Sequence, residues 1–319
     1  MEVTKPKVEI ISHTQCPYDV VSIAARNCYS PMSLEDMMKN MTDTERLKLI
    51  KSLEDSKHES PFEHVSITFA IQGISRSCSH QLVRHRIASY SQRSQRYVDE
   101  EGFDYIVPSS IENIPIAKSI YKNELERIES TYDHLKEIIL NSYIREDFGD
   151  HTALTMTQQD VYETLSNKTL WTRALDVIIK ENKAFHKENP IKYKKFLKKA
   201  CEDARYILPN ACSTQIIMTM NVRSLWNFFN LRCCNRAQWE INEVAWEMLR
   251  QCKTRWPLLF EHAGPDCISN VCKEKPGMSC GRPPFEKMVE IRNYSYAIDD
   301  SDYDDSSEWL KDNPNIKKE

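Results

Sequence analysis

The chain of 319 residues carries 43 Lys and Arg against 47 Asp and Glu, which gives a formal net charge of −4 at pH 7. Its hydrophobic content of 40% allows a sizeable core, but no apolar run reaches the roughly 18–20 residues that span a membrane. The first residues lack the basic and apolar pattern of a signal peptide, so we expect a cytoplasmic protein without a membrane span. The 11 cysteines are expected to be reduced thiols.

The predicted elements begin with a short strand over residues 7–12, where polar and apolar side chains alternate. Residues 33–57 have apolar side chains every three or four positions, which predicts a helix that ends before Pro61. A second alternating segment, residues 65–71, predicts a half-buried strand. Ser75 is a candidate N-cap for the helix that follows this strand.

Residues 64–98 contain five arginines but no Asp, Glu or Lys, although the whole chain is slightly acidic. Guanidinium groups present a planar set of donors that suits phosphate and carboxylate. If residues 89–98 are extended, Gln92, Ser94 and Arg96 lie on one face, because side chains alternate along a strand. The segment therefore predicts an anion-binding site, although most strands of this composition belong to ordinary polar hairpins.

The glycine-rich loops that usually bind phosphate are absent from this sequence. None of the 6 glycines has the G-x-G-x-x-G spacing, and Gly281 is followed by Arg282 where a Walker loop has Lys. Any phosphate must therefore be bound by side chains, by helix N-termini, or by both. This conclusion favours the arginine-rich segment as the anion site.

Long helices are predicted for most of the chain beyond residue 110. Apolar periodicity predicts helices over residues 111–145, over residues 191–206 and from Asn221 to about residue 251. Asn221 has the side chain of a good N-cap, and helix N-termini favour anions. Residues 145–190 are polar and also helical in pattern.

Three separated blocks of this sequence resemble the motifs of one enzyme family. In chain order, they are His58-Glu-Ser60-Pro-Phe-Glu63-His64, then Arg84-His85-Arg86 with Ser94 and Arg96-Tyr97, and then Ala204-Arg205, Leu208-Pro209, Asn221-Val-Arg223, Asn227, Leu231-Arg232 and Ala237-Gln-Trp-Glu240. The blocks resemble the flavin-dependent thymidylate synthases in order and in content, from about residue 20 to residue 262. Many members of that family have Ser where this chain has Cys28.

By this resemblance, residues 1–262 form the catalytic domain, with a helical insertion over about 145–190. Residues 263–298 form a Cys-containing C-terminal extension, and residues 299–319 form an acidic tail that we expect to be disordered. The expected fold is α+β, with a small twisted β-sheet flanked by long helices. The resemblance also implies a homotetramer whose active sites combine residues from several subunits.

The resemblance implies the reductive methylation of dUMP to dTMP, the step of de novo thymidylate synthesis. Methylene-tetrahydrofolate would donate the carbon, and NADPH would reduce a bound FAD that supplies the hydride. Arg232 would be catalytic, because it would stabilise charge that develops on the uracil. Ser94 has no identifiable base partner, so we expect it to bind substrate and not to act as a nucleophile.

The remaining site residues follow from their positions in the three blocks. Those that match the family's dUMP-binding positions are Gln81, Arg84, Gln92, Ser94, Gln95, Arg96, Arg205 and Arg232. Those that match its FAD-binding positions are His58, Ser60, Glu63, Arg84, His85, Arg86, Asn221, Arg223 and Asn227. In this assignment, Arg96 and Arg205 face the dUMP phosphate.

The cysteines of the C-terminal extension raise the question of a metal. Cys267, Cys272 and Cys280, with His262 and Cys252 nearby, could suggest zinc. Four residues separate Cys267 from Cys272 and seven separate Cys272 from Cys280, whereas structural zinc sites usually pair ligands about two to four residues apart. The spacing therefore favours free thiols, and we expect no bound metal.

Two other functions compete with this interpretation. The thymidylate synthase that uses a cysteine nucleophile needs a Pro-Cys-His sequence, and this chain has none. A nucleic-acid-binding module could use residues 84–96 together with Tyr90 and Tyr97. The net negative charge and the lack of a wider basic surface argue against that module, and we expect neither nucleic acid nor a membrane as a partner.

Overall fold

A computed structural model describes residues 2–39, 41–97, 100, 102–150, 158–269, 271–275 and 277–296 of the chain. The acidic tail predicted for residues 299–319 lies outside the described residues. Contacts within the chain divide it into two compact units. We call Met1–Thr4 with Arg93–Ser213 the helical unit, and Lys5–Gln92 with Thr214–Glu319 the sheet unit.

The protein has an α+β fold. Its four-stranded sheet has the order β1-β2-β4-β3, and the strands are β1 (Lys7–His13), β2 (Ser66–Ser75), β3 (Ser89–Gln92) and β4 (Ser213–Asn221). The helices within the described ranges are α1 (Pro17–Asn27), α2 (Leu34–Lys39), α3 (Asp43–Asp55), α4 (Arg76–Leu82), α5 (Ser109–Glu112), α6 (Pro115–Asp147), α7 (Gln158–Ser166), α8 (Lys168–Glu188), α9 (Pro190–Ala204), α10 (Val222–Arg232), α11 (Trp239–Arg255), α12 (Asp266–Ser269) and α13 (Phe285–Tyr296). None of these helices is long and apolar enough to cross a membrane.

The sheet buries one face because its strands alternate in polarity. Ile67, Phe69 and Ile71 of β2 are almost fully buried, as the alternating pattern predicts. Strand β1 pairs antiparallel with β2, and β3 pairs antiparallel with β4. Gly73 has φ +71°, and a Cβ there would lie 2.2 Å from the carbonyl oxygen of Lys5, so this position of β2 requires glycine.

Two long predicted helices of the sheet unit are each divided in two. The helix predicted over residues 33–57 is α2 and α3, because Thr42 and Glu45 form a reciprocal capping box that starts a new helix. The helix predicted from Asn221 to about residue 251 is α10 and α11, and the side chain of Gln238 caps the second by accepting from the amide of Ile241. The predicted N-caps Ser75 and Asn221 are both confirmed.

Of the extended segment considered over residues 89–98, residues 89–92 form β3 and residues 93–97 do not continue it, while residue 98 lies outside the described residues. The Ser94 hydroxyl accepts a hydrogen bond from the amide of Arg96 at 3.2 Å, and such local bonds favour a turn over a strand. Gln92, Ser94 and Arg96 therefore do not share a strand face. Any common function of their side chains must arise from tertiary structure.

The helical unit is built around the 33-residue helix α6, which packs against α8 and α9. Leu140, Ile144, Phe185 and Ala200 form the buried apolar cluster of these three helices. Pro115 starts α6 at a position where its missing N–H costs nothing, which places the start four residues later than predicted. The polar segment predicted as helical over residues 145–190 contains α7 and α8, and its residues 151–157 lie outside the described ranges.

Candidate active site

Helix α10 carries Arg223, Asn227 and Arg232 of the predicted site residues, and Asn221 is its N-cap. Its N-terminus is fixed by Asn221, whose side-chain oxygen accepts from the amide of Ser224 at 2.8 Å. Val222, Leu225 and Phe228 are fully buried, so the helix turns its other face outward. Arg223 and Asn227 lie one turn apart on that exposed face.

The block His58–His64 packs against the first turn of α10. Its Ser60–His64 part is a short 3-10 helix, in which Phe62 is fully buried with its ring 4.6 Å from that of Trp226. The amide of Val222 donates to the carbonyl of Val65 at 2.9 Å, which joins the two segments through the backbone. Two of the three sequence blocks are therefore neighbours.

Arg223 forms ion pairs with two carboxylates of that block. Its Nε donates to Glu59 at 3.1 Å, and its Nη1 contacts Glu63. These partners raise the pKa of Arg223, the hydrogen bond with Glu63 being the largest cause. All three side chains are largely exposed, so we regard the pairs as positioning contacts with little effect on stability.

His58 is exposed, and its ring nitrogens lie 3.3 Å from the hydroxyl of Tyr29. The two rings are 5.9 Å apart, and Tyr29 is 72% exposed. Sequence reasoning missed Tyr29 because nothing in the motifs connects it with a block that begins 29 residues later. An exposed aromatic ring beside a predicted flavin contact gives a flat ligand a surface on which to stack.

The Arg84-His85-Arg86 block contacts the last turn of α10. His85 Nε2 accepts a hydrogen bond from Arg232 Nε at 2.8 Å, and the His85 ring meets that of Phe228 edge-on at 4.9 Å. Burial, and to a smaller extent the charge of Arg232, lower the pKa of His85 to about 4. His85 is therefore neutral at pH 7, and the bond to Arg232 assigns its proton to Nδ1.

Tyr90 holds the backbone that carries His85. Its hydroxyl donates to the carbonyl oxygens of Leu82 at 2.8 Å and His85 at 3.0 Å. Burial raises the pKa of Tyr90 to about 12, so the hydroxyl keeps its proton and remains a donor at pH 7. Sequence reasoning considered Tyr90 only as an RNA-stacking ring and missed this role.

Arg232 is half-buried, and within the described ranges it forms no ion pair. Burial lowers the pKa of its guanidinium, which nevertheless remains charged at pH 7. Its carbonyl oxygen accepts from Asn242 Nδ2 at 2.7 Å, so both its side chain and its backbone are restrained. The result is an oriented cation whose closest polar partner, His85, is neutral.

The other predicted residues of the sheet unit differ in exposure. Arg84 and Arg86 are exposed, and Gln81 is half-buried. Gln92 is half-buried, and its amide donates to Ser79 Oγ at 2.8 Å and to Thr214 Oγ1 at 3.4 Å. Both of these hydrogen bonds use the side-chain nitrogen of Gln92 and neither uses its side-chain oxygen.

The helical unit brings Arg96 and Arg205 to the same residue. Arg96 Nη2 donates to the carboxylate of Glu202 at 2.8 Å, and Arg205 Nε donates to the Glu202 carbonyl at 3.1 Å. Arg96 Nε is buried and has no hydrogen-bond partner among the described residues. A buried donor on a charged group without an acceptor is costly, and a phosphate oxygen would satisfy it.

Ser94 and Gln95 precede Arg96 and serve different contacts. Ser94 is half-buried and bonds to the amide of Arg96, which shapes the turn. Gln95 is only 8% exposed, and its amide lies 3.6 Å from the sulfur of Cys212. In this structure the Gln95 side chain packs within the helical unit.

These residues define a class of protein before any comparison is made. It is an α+β protein with an arginine site suited to a phosphate, and with a set of exposed polar side chains around α10 suited to a second, flat ligand. His58, Ser60, Arg84, Arg86 and Asn227 are all exposed and belong to that set. They supply ring and hydrogen-bonding groups of the kind that a flavin dinucleotide needs in the absence of a glycine-rich loop.

Comparison with known proteins agrees with this class. The sequence profile of the family described as thymidylate synthase complementing protein matches residues 9–258. The flavin-dependent thymidylate synthase of Clostridium tetani is 41% identical over 285 residues, which cover 89% of this chain and 97% of that protein. The enzymes of the same name from Nitratidesulfovibrio vulgaris and Pyrococcus furiosus are 37% and 32% identical, each over 90% of this chain and over 98% and 99% of their own lengths. The chain belongs to the thymidylate synthase complementing protein family.

Proposed function

We propose that this protein is a flavin-dependent thymidylate synthase that converts dUMP to dTMP in the cytoplasm. The observation that carries the proposal is the oriented, partly desolvated Arg232, which is held by a neutral histidine and by no carboxylate within the described ranges. Relatives that carry this name match nearly the whole chain, which favours the enzyme over the nucleic-acid-binding alternative. The substrates are dUMP, methylene-tetrahydrofolate and NADPH.

The dUMP phosphate is bound by Arg96 and Arg205, which share Glu202 as a partner. The free Nε of Arg96 donates to a phosphate oxygen, and the Glu202 carboxylate keeps the guanidinium in place. Ser94 adds a hydroxyl beside them and acts in binding, since no base partner accompanies it among the described residues. Gln81, Arg84, Gln92 and Gln95 are the further dUMP residues that we carry over from the family motif.

Arg232 acts on the uracil. Transfer of a one-carbon unit to the ring requires electron density at the reacting carbon, and a cation near the ring oxygen stabilises the negative charge that then develops. His85 accepts a hydrogen bond from Arg232 Nε, so the two Nη groups of Arg232 remain available to the uracil. Because His85 is neutral, it orients Arg232 without cancelling its charge.

FAD is the cofactor, and when bound it supplies the hydride that completes the methyl group. The residues that hold it are those of the FAD set named above, which run from His58 to Glu63, over Arg84-His85-Arg86, and from Asn221 to Asn227. Arg223, fixed by Glu59 and Glu63, keeps the first block against α10. Asn221 fixes the helix N-terminus, and Tyr29 offers a ring beside His58.

We further propose that the active protein is a homotetramer with active sites shared between subunits. Exposed apolar side chains support this assembly, since Ile116 and Ile120 at the start of α6 are 71% and 64% exposed. Isolated exposed apolar residues are common, but two on adjacent turns of one helix form a patch that a partner would cover. Light scattering of the purified full chain measures the mass directly, and a monomer would contradict the assembly.

The enzyme assay tests the proposal in two independent readings. The purified full chain should release flavin into the supernatant on heating, and the apoprotein should take up added FAD. With dUMP, methylene-tetrahydrofolate and NADPH, chromatography should detect dTMP. A folded protein that takes up no FAD and forms no dTMP would overturn the assignment.

A further inference from the structure

Four cysteines lie around the segment that follows α10 and the extension that begins at residue 263. They are Cys234, two residues after Arg232, and Cys267, Cys272 and Cys280 of the extension. All four are half-buried, and none forms a disulfide. The sequence spacing argued against a metal because it did not take in Cys234, which comes from a distant part of the chain.

Side-chain contacts join the segment that carries Cys234 to the extension. Arg236 Nη1 lies 2.6 Å from the carboxylate of Glu274, two residues after Cys272. Asn235 Nδ2 donates to the carbonyl of Arg282 at 2.5 Å, two residues after Cys280. These contacts bring the segment of Cys234 to the segments of Cys272 and Cys280, although Asn235 and Arg282 are 47 residues apart in the sequence.

Further contacts place Cys267 in the same cluster. Lys273 Nζ lies 2.8 Å from the carboxylate of Asp266, which joins the neighbours of Cys272 and Cys267. The amide of Asp266 donates to the side-chain oxygen of Asn230, on α10, at 3.3 Å. The segments that carry the four cysteines are therefore joined by side-chain contacts. Each contact is made by residues one or two positions from a cysteine, except that Asn230 lies four positions before Cys234.

The backbone around Cys280 presents a hydrogen-bond donor to its sulfur. Gly281 has φ +63°, a conformation that glycine adopts readily. It turns the amide of Arg282 towards Cys280 Sγ, at 3.4 Å. The Cys280 thiol also lies 3.6 Å from the Arg282 carbonyl, to which it can donate.

The four sulfurs also interact electrostatically. Burial raises the pKa of the Cys267 thiol, and the charges of Cys234, Cys272 and Cys280 raise it further. Four sulfur ligands suit zinc and other metals that bind thiolate.

The cluster is more open than a closed metal site. Among the described residues, the group whose ligand atoms all lie within 4.8 Å of one another is Glu54, Glu261 and His262, and not the cysteines. Around a tetrahedral zinc ion with Zn–S bonds of about 2.3 Å, neighbouring sulfurs are about 3.8 Å apart. One change of χ1 rotamer moves a cysteine sulfur by about 3 Å, so side-chain rotation can close the cluster.

We propose that Cys234, Cys267, Cys272 and Cys280 bind one Zn²⁺ ion in a tetrahedral tetrathiolate site. Four protein ligands leave no open position, so the site is structural. On binding, the four thiols lose their protons to solvent and the ion takes four sulfur ligands. Because Cys234 lies two residues from Arg232, the ion fixes the C-terminal end of α10 and, with it, the position of Arg232.

Metal analysis of the purified full chain tests this site apart from the enzyme activity. We expect about one zinc per chain, independent of FAD content. Cys267→Ser and Cys280→Ser should each reduce the zinc content several-fold, whereas the matched control Cys28→Ser, at an exposed cysteine outside the cluster, should keep it. Absence of zinc in folded wild-type protein purified without chelators, which also fails to bind added zinc, would overturn the site.

Cobalt substitution keeps the test valid where a variant fails to fold. A chelator first removes the metal from wild-type protein, and Co²⁺ is then added. The loaded protein should show thiolate-to-metal charge-transfer bands. It should also show the visible bands of a tetrahedral Co²⁺ ion, which lie at longer wavelengths than flavin absorbs. Chelation should also expose four further thiols to a titrating reagent. An octahedral Co²⁺ spectrum, or unchanged thiol reactivity, would contradict the tetrathiolate site, and a bound iron in place of zinc would overturn the choice of ion.

Discussion

Arg232 in the sheet unit and Arg96 in the helical unit are both proposed to act on dUMP, but the chain holds them in opposite ways. Arg96 is paired with the carboxylate of Glu202 at 2.8 Å, whereas Arg232 bonds to the neutral ring of His85, also at 2.8 Å. A carboxylate partner cancels much of the long-range field of a guanidinium. A neutral acceptor restrains it equally well and leaves the charge available.

The difference matches the chemistry proposed for each residue. A phosphate carries its full charge throughout the reaction, so Arg96 needs geometry and a free donor more than it needs a net field. The uracil gains charge only as the reaction proceeds, so Arg232 must present an uncompensated charge at that moment. Arg223, paired with both Glu59 and Glu63, is the extreme case of a neutralised arginine and positions the first block against α10.

The largest effect is expected for Arg232→Ala. Loss of the unneutralised cation should lower kcat by about a hundredfold or more, while FAD binding and flavin reduction by NADPH survive. Arg232→Lys keeps a charge but loses the planar donor that binds His85, so it should restore only part of the rate. Steady-state dTMP formation at saturating dUMP measures this, with the exposed surface variant Arg127→Ala as control. Normal turnover of Arg232→Ala at high dUMP would contradict the catalytic role.

Arg96→Ala and Arg205→Ala should act mainly on binding. Because phosphate contacts are equal in the ground and transition states, we expect KM for dUMP to rise about 10- to 100-fold and kcat to change only a few-fold. Both variants should also lose the preference for dUMP over deoxyuridine, which has no phosphate. A preference that remains at the wild-type ratio would show that these arginines do not contact the phosphate.

The neutral state of His85 predicts a pH dependence. The pKa of His85 is lowered to about 4 in the folded protein, whereas the pKa in the unfolded chain is about 6.5. Between these two pH values the unfolded chain binds more protons than the folded protein, so the free energy of unfolding falls as the pH falls. The loss should be on the order of 1–3 kcal/mol, absent above about pH 7. His85→Gln keeps an acceptor for Arg232 but cannot titrate, so its melting temperature should decline less over this range. If the melting temperatures of the wild type and of His85→Gln fell in parallel with pH, His85 would not be the neutral group assigned here.

The smallest effect is expected for Tyr90→Phe. The variant loses the hydrogen bonds to the carbonyls of Leu82 and His85, at a cost of about 1–2 kcal/mol of stability. Because these bonds fix the backbone of His85, kcat should fall a few-fold while KM for dUMP stays unchanged. Chemical denaturation and steady-state rates measure both. A change in KM alone would place Tyr90 in substrate binding instead.

Local patterns predicted the elements whose cause lies within a few residues. Strands β1 and β2 follow from alternation, and the caps Ser75 and Asn221 from their side chains. The division between α2 and α3 was also visible, since Thr42 and Glu45 have the spacing of a capping box, but the longer apolar period was given more weight. Strand β3 ends at Gln92, and the hydrogen bond of Ser94 in the turn that follows is a contact that composition does not reveal.

The break between α10 and α11 shows what local patterns cannot predict. No proline or glycine lies between Arg232 and Trp239. The interruption goes with contacts to distant residues, in which Asn235 donates to the carbonyl of Arg282 and Arg236 pairs with Glu274. Such contacts form only when the C-terminal extension is packed, so sequence periodicity has no access to them.

The sequence by itself determined which residue types are available and, through three ordered blocks, the family to which the chain belongs. Tertiary structure alone decided their partners: that Arg232 meets a neutral His85, that Arg96 and Arg205 share Glu202, and that Cys234 lies near the three later cysteines. Charge state and orientation depend on burial and on the nearest donor or acceptor. Those neighbours come from segments far apart in the chain, so only folding assigns them.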